Sequence, residues 1–133
     1  KDLALQLIRL GFPSGRKYEK LKIPNKYLAL DWNYKKLIIR GLFDTDGSIY
    51  SRKDEGYKYP IISIKSISSK LLQQLFNLLK NSGYPAYISG NNVAVRGNKN
   101  IIKWFNDIGS SNSRNKLKYL YWLKNKVLPP NII

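Results

Sequence analysis

Apolar residues recur along this chain at two periods, and the switches between them lay out a helix, two strands, a helix, two strands and a helix. Residues 37–47, LIIRGLFDTDG, are an apolar run with one glycine at its middle, ending in two carboxylates and a second glycine. Asp31 and Asn33 upstream are good N-caps, so a helix is expected to begin there and to stop at Gly47 in the left-handed conformation. Residues 48–52 and 57–66 alternate with period two on either side of the turn 53–56, which predicts a hairpin. On its second strand Ile62 and Ile64 share one face, and Ile61, Ser63 and Lys65 share the other.

Ser68 and Ser69 cap the next helix, whose stripe of Leu71, Leu72, Leu75, Phe76, Leu78 and Leu79 is a core face closed by Gly83. A second hairpin is expected from 84–89 and 93–96 around Gly90, Asn91 and Asn92, with Arg96 on its polar side. Asn98 caps a helix carrying Ile101, Ile102, Trp104, Phe105 and Ile108 and ending at Gly109. The segment 110–113 reads as a loop, and a last helix over about 114–126 is stopped by Pro129 and Pro130. Upstream, Leu3, Leu7, Ile8 and Leu10 mark a short amphipathic helix with Gly11 as its cap, and Ile23-Pro24-Asn25 opens a brief one through Leu30. The result is an α+β chain with a four-stranded antiparallel sheet, in which residues 33–133 form the principal domain and 1–32 a helical segment before it.

Charge changes the picture most. Among 133 residues, 24 Lys and Arg stand against 8 Asp and Glu, a formal net charge of +16. Self-repulsion on that scale is relieved most economically by a polyanion, and nucleic acid fits best. A membrane surface fits less well, because the basic residues run along the whole chain and no apolar segment of spanning length exists. No secretory signal is visible, so a cytoplasmic or organellar protein is expected. With no cysteine and no histidine, disulfides, thiolate zinc, histidine-ligated metals and histidine bases are excluded. Phosphodiester chemistry would then rest on a carboxylate, a metal and lysine.

Two of the eight acids, Asp44 and Asp46, fall in the last turn of the 33–46 helix, where the negative end of the helix dipole disfavours them. They read as a solvated helix end, as a calcium loop, or as the holder of a hard divalent cation acting on phosphate. The calcium loop fails at its sixth position, where Ile49 replaces the required glycine. The polar face of the sheet supplies candidates for reading duplex DNA: Ser48, Tyr50, Arg52, Tyr57, Tyr59, Ser63, Tyr87, Ser89, Asn92 and Arg96. Arg16, Lys17 and Lys20 are either phosphate contacts or solvated charges.

Residues 39–47, IRGLFDTDG, resemble the motif that names the LAGLIDADG homing endonucleases. Residues 59–66, the helix after Ser69 and residues 104–112 are similar to that family in the same order, so that about 33–125 corresponds to one single-motif repeat of the archaeal or organellar intron or intein type. The resemblance implies an αββαββα fold whose four-stranded sheet binds double-stranded DNA. It implies a site-specific endonuclease using Mg²⁺ or another divalent cation such as Mn²⁺, or else a non-cleaving RNA maturase or transcription regulator on the same fold.

Carried onto this chain, the resemblance makes Asp46, with Gly47, the metal position and gives Asp44 a structural role at the helix end. It makes Lys65 a basic catalytic residue beside the metal, with Lys116 or Arg114 as a second cation. It also makes Gly41 the point of close approach between two motif helices, contributed by a homodimer or by a second repeat. In a homodimer Arg40, next to that glycine, is expected to meet its own copy, a costly arrangement unless each Arg is paired, with Asp44 of the other chain as the candidate. A first residue other than Met fits a chain that begins partway through a longer protein.

Overall fold

A computed structural model describes residues 20–129, and the expected 2–10 helix, its Gly11 cap, Arg16, Lys17 and Pro130 lie outside the described residues. The elements are α1 (Asn25–Leu28), α2 (Trp32–Asp46), β1 (Gly47–Tyr50), a 3-10 turn (Lys53–Glu55), β2 (Ile61–Lys65), α3 (Ser69–Asn81), β3 (Ala86–Ser89), β4 (Asn92–Arg96), α4 (Asn98–Asp107) and α5 (Ser113–Asn125). The four strands form one antiparallel sheet in the order β1-β2-β4-β3. This is the expected mixed architecture, with the helices gathered on one face of the sheet.

Period-two alternation decides which face that is. Ile49, Ile62, Ile64, Val93 and Val95 point inward and are fully buried against Leu71, Leu75 and Leu79 of α3, Ile39, Leu42 and Phe43 of α2, and Ile101 and Trp104 of α4. Trp104 is the centre of an aromatic cluster, with Phe43 at 5.3 Å and Tyr84 at 5.6 Å, both edge-on. The Ser68 cap forms as expected, its side chain accepting from Leu71 N at 3.1 Å. Gln74 of α3 turns into the core and holds both main-chain groups of Ile23, accepting from its N–H at 2.7 Å and donating to its carbonyl at 3.0 Å. The residues just before α1 are thus fastened to the same core.

Two local expectations are corrected. Gly47 ends α2 in an extended conformation (φ −112°, ψ 170°) and starts β1 directly. Its glycine is required by space: a Cβ there would lie 2.8 Å from the Phe43 carbonyl oxygen and 2.9 Å from Phe43 Cα. Gly47→Ala is therefore expected to destabilise the fold by about 1–3 kcal/mol, measured by urea denaturation. The second correction is that β2 begins at Ile61, because Tyr57 adopts a left-handed backbone (φ 59°) and Pro60 has no N–H to give a ladder. The 57–58 main chain is held instead by the C-terminal end of the chain, Leu128 N donating to Tyr57 O and Trp122 Nε1 to Lys58 O.

Candidate nucleic-acid interface

The sheet face turned away from the helices is a shallow groove of about 610 Å³, lined by Ser48, Tyr50, Arg52, Ile61, Ser63, Tyr87, Ser89, Asn92, Ala94 and Arg96. Strand register arranges most of these side chains in rows. One row crosses Tyr50, Ile61 and Arg96, and the next crosses Ser48, Ser63, Ala94 and Tyr87. A third joins Lys65, Asn92 and Ser89. The structure therefore brings together every sequence-predicted contact except Tyr57 and Tyr59. Tyr57 lies in the irregular stretch before β2, and Tyr59 lines a separate cleft with Trp122 and Ile102. Ile61 and Ala94, apolar and absent from that set, form part of the groove floor.

Chemistry grades along the groove. At one end Ser63 donates to Asn92 Oδ1 at 2.9 Å, which leaves the Asn92 amide NH₂ for an outside acceptor. At the other, two guanidinium groups are met by carboxylates of the 3-10 turn: Arg52 by Asp54 and Arg96 by Glu55. Tyr50 shares the row of Arg96, its hydroxyl pushed up by burial and by nearby Tyr87 against the opposing pull of Arg96 and Arg52.

Asp44 and Asp46, two residues apart at the foot of α2, have opposite fates. Asp44 accepts from Ser110 Oγ and from Ser111 N–H, and Asn112 donates to the Asp44 carbonyl at 3.1 Å, so this acid fastens the 110–112 loop under the helix end. Asn112 also caps α5 by accepting from Asn115 N, which fixes that helix beside β1. Hydrogen bonds, not a cation, satisfy Asp44. Asp46 has no hydrogen-bond or ion-pair partner among the described residues, and partial burial raises its carboxyl above the usual range. Asp46 is the last residue of α2, and the next residue, Gly47, pairs with Ile64 of β2, one residue before Lys65, whose row holds Asn92 and Ser89.

From α5, the sequence reading singled out Arg114 and Lys116, and both are exposed. The lysine that turns inward is Lys118, whose Nζ donates to the Ile49 carbonyl of β1 at 3.3 Å. Burial, with Arg114 nearby, lowers its ammonium pKa. Spacing held the signal, because Lys118 is three residues from buried Asn115 and four from buried Trp122.

Arg40 does not reach the exposed face of α2. Its Nε donates to the Ile108 carbonyl at 2.7 Å and its guanidinium packs over Gly109. The exposed face carries Tyr34, Leu37 and Gly41, and a Cβ at Gly41 would meet nothing within 4 Å. Among the described residues no helix is long and apolar enough to cross a membrane, and no group of three or more acids is placed to enclose a metal.

The LAGLIDADG-like domain, as a family model, matches residues 33–120, from the start of α2 into α5. No curated protein matches the chain.

Proposed function

The chain belongs to the LAGLIDADG homing endonuclease family, and on that premise we propose that it is a site-specific, metal-dependent endonuclease of double-stranded DNA. The observation that carries this reading is Asp46: a carboxylate without a partner among the described residues, partly desolvated, at the foot of α2 and two residues before groove-lining Ser48. For a protein that only binds DNA such a group is a liability, since it repels phosphate and sits at the unfavourable end of a helix dipole.

The donor set suits magnesium. That ion is commonly held by one or two carboxylates with water and substrate phosphate, without a cage of protein ligands. Asp46, with the main chain of Gly47, would hold it, and a bound magnesium ion would supply water activation and charge neutralisation at the phosphate. The chain's own residues do the rest. Asp44 and Asn112 fix the foot of α2, so that the free acid projects from a held helix end. Lys65, which follows the β2 residue paired with Gly47, presents a cation to the charge that develops on the attacked phosphate. Lys118 braces β1 from behind through Ile49. Asn92, Ser63, Tyr50 and the two arginines face base edges in the major groove, which admits a two-stranded ribbon.

One copy supplies one such carboxylate, and a break in both strands takes two. The uncovered α2 face around Gly41 suits pairing with a second copy or a second repeat. The reading is tested by incubating the purified chain with a pool of random duplexes in magnesium or in EDTA and sequencing the new ends. Cuts confined to related sites and only in magnesium are expected. Retention of duplex without any cut would favour the non-cleaving alternative.

A further inference from the structure

The two arginines of the groove are not free cations. Arg52 donates through Nε and Nη2 to the two oxygens of Asp54, at 3.1 and 2.9 Å. Arg96 donates through Nη2 to both oxygens of Glu55, at 2.9 and 3.1 Å. Both acids come from one short turn, Lys53–Glu55, closed by Gly56 in the left-handed conformation. In a chain with 8 acids against 24 basic residues, two consecutive acids meet the two arginines that line the groove. The Arg52–Asp54 pair is exposed and the Arg96–Glu55 pair only half-buried, and surface ion pairs contribute little to stability, so the pairing calls for another account.

Donor geometry supplies it. A guanidinium has five N–H donors in a rigid fork. Asp54 takes the Nε and Nη2 side of Arg52, and Glu55 holds Arg96 through Nη2 alone; Nη1 of each is left without a protein acceptor among the described residues, so each guanidinium is anchored with donors still available to the groove. Guanine offers two adjacent acceptors, O6 and N7, which such donors can meet. A phosphate seeks net positive charge, and a paired arginine offers it little.

We infer that Asp54 and Glu55 are specificity-determining residues: they neutralise and orient Arg52 and Arg96 so that the arginines take guanine edges and decline phosphate. The turn thereby suppresses binding to arbitrary DNA in a protein whose overall charge favours it. This rests on the groove being the DNA-reading surface.

The test compares the full chain with Glu55→Gln, Asp54→Asn and the double variant, with Asp31→Asn as a control that removes an exposed acid outside the groove. Duplexes enriched by the wild type from a random pool, and unselected duplexes of the same length, are titrated by fluorescence anisotropy from 50 to 300 mM salt, without magnesium. The double variant is expected to bind unselected DNA about ten-fold tighter, with a salt slope steeper by about 0.9 for each arginine released to phosphate. Its preference for the enriched sequence should fall about ten-fold, with guanine lost at the positions it had fixed. Asp31→Asn should leave that preference unchanged. If the double variant keeps the wild-type preference and salt slope, the inference is overturned while the groove reading stands. If the wild type enriches no sequence at all, both fall.

Discussion

Asp46→Asn is expected to abolish strand cleavage, by at least about 10³-fold, while duplex binding persists and the melting temperature rises. The three outcomes have one cause. The carboxylate has no partner among the described residues and, though its residue is exposed, is partly desolvated at the negative end of α2, so its ionised form is disfavoured where it stands. The sign follows directly. Its native pKa lies above the unfolded value, so the native state binds the proton more tightly, and stability contributed by this group is lost as pH rises from the ordinary aspartate range through the raised one. Asparagine removes that loss. A gain of about 0.3–1 kcal/mol, the usual size of a carboxylate's conflict with a helix C-terminus, gives a rise of roughly 1–5 °C near neutral pH. The gain should shrink in acid, where the wild-type carboxyl is already protonated.

Duplex binding should hold or tighten, because one negative charge at the phosphate surface is gone. Cleavage assays with thermal melts from pH 4 to 8 read all of this. Persisting magnesium-dependent cutting by the asparagine variant would remove Asp46 from the chemistry. Cleavage lost together with stability would mean that the residue supports the fold.

What could be read from the chain and what could not divides along physical lines. Periodicity located all the strands and the principal helices, because burial on one face imposes period two or 3.6 wherever a core exists: the Leu71, Leu75, Leu79 stripe and the Ile62, Ile64 pair are its direct imprint. The groove residues followed from the same alternation, which is why Tyr50, Ser63, Asn92 and Arg96 share a face. The alternation misled at Tyr57 and Tyr59, where strand-like residues are drawn into a loop held by Trp122 and Leu128, contacts too distant in sequence to leave a local pattern. Gly47 was correctly marked as the end of α2 but for the wrong reason, since a close approach by Phe43 and a left-handed turn both demand glycine. The different fates of Asp44 and Asp46 depend on a loop that begins at Ser110 and folds back under the helix, and no spacing rule encodes that. Lys118 was recoverable and overlooked, because a lysine on the buried side of an amphipathic helix is itself an anomaly.

Gly41→Leu is expected to leave the single chain folded, and slightly more stable, while disabling breakage of both strands. In one copy the position is open: among the described residues a Cβ at Gly41 meets nothing within 4 Å. Replacing a mid-helix glycine with a strong helix former contributes about 0.5–1 kcal/mol. Tyr34 and Leu37, two turns and one turn earlier, remain 59% and 52% exposed, so this face is apolar and uncovered without being needed for the fold. If two copies pack these faces together, the missing side chain is what lets the helix axes close to about 8–10 Å. A leucine then intrudes at about 1–3 kcal/mol, and two-fold symmetry counts it twice, which weakens association by about 100-fold or more. Arg40 adds no opposing charge at this seam, since its guanidinium is bonded to Ile108 within its own chain, so Arg40→Ala should lower stability and leave association nearly untouched. Sedimentation velocity with and without duplex separates the effects. A wild type that pairs and a leucine variant that stays single and leaves duplexes intact or merely nicked would establish α2 as the seam. A leucine variant that still pairs and cuts both strands would place the seam elsewhere, and a wild type that is single even on DNA would make the partner a different repeat.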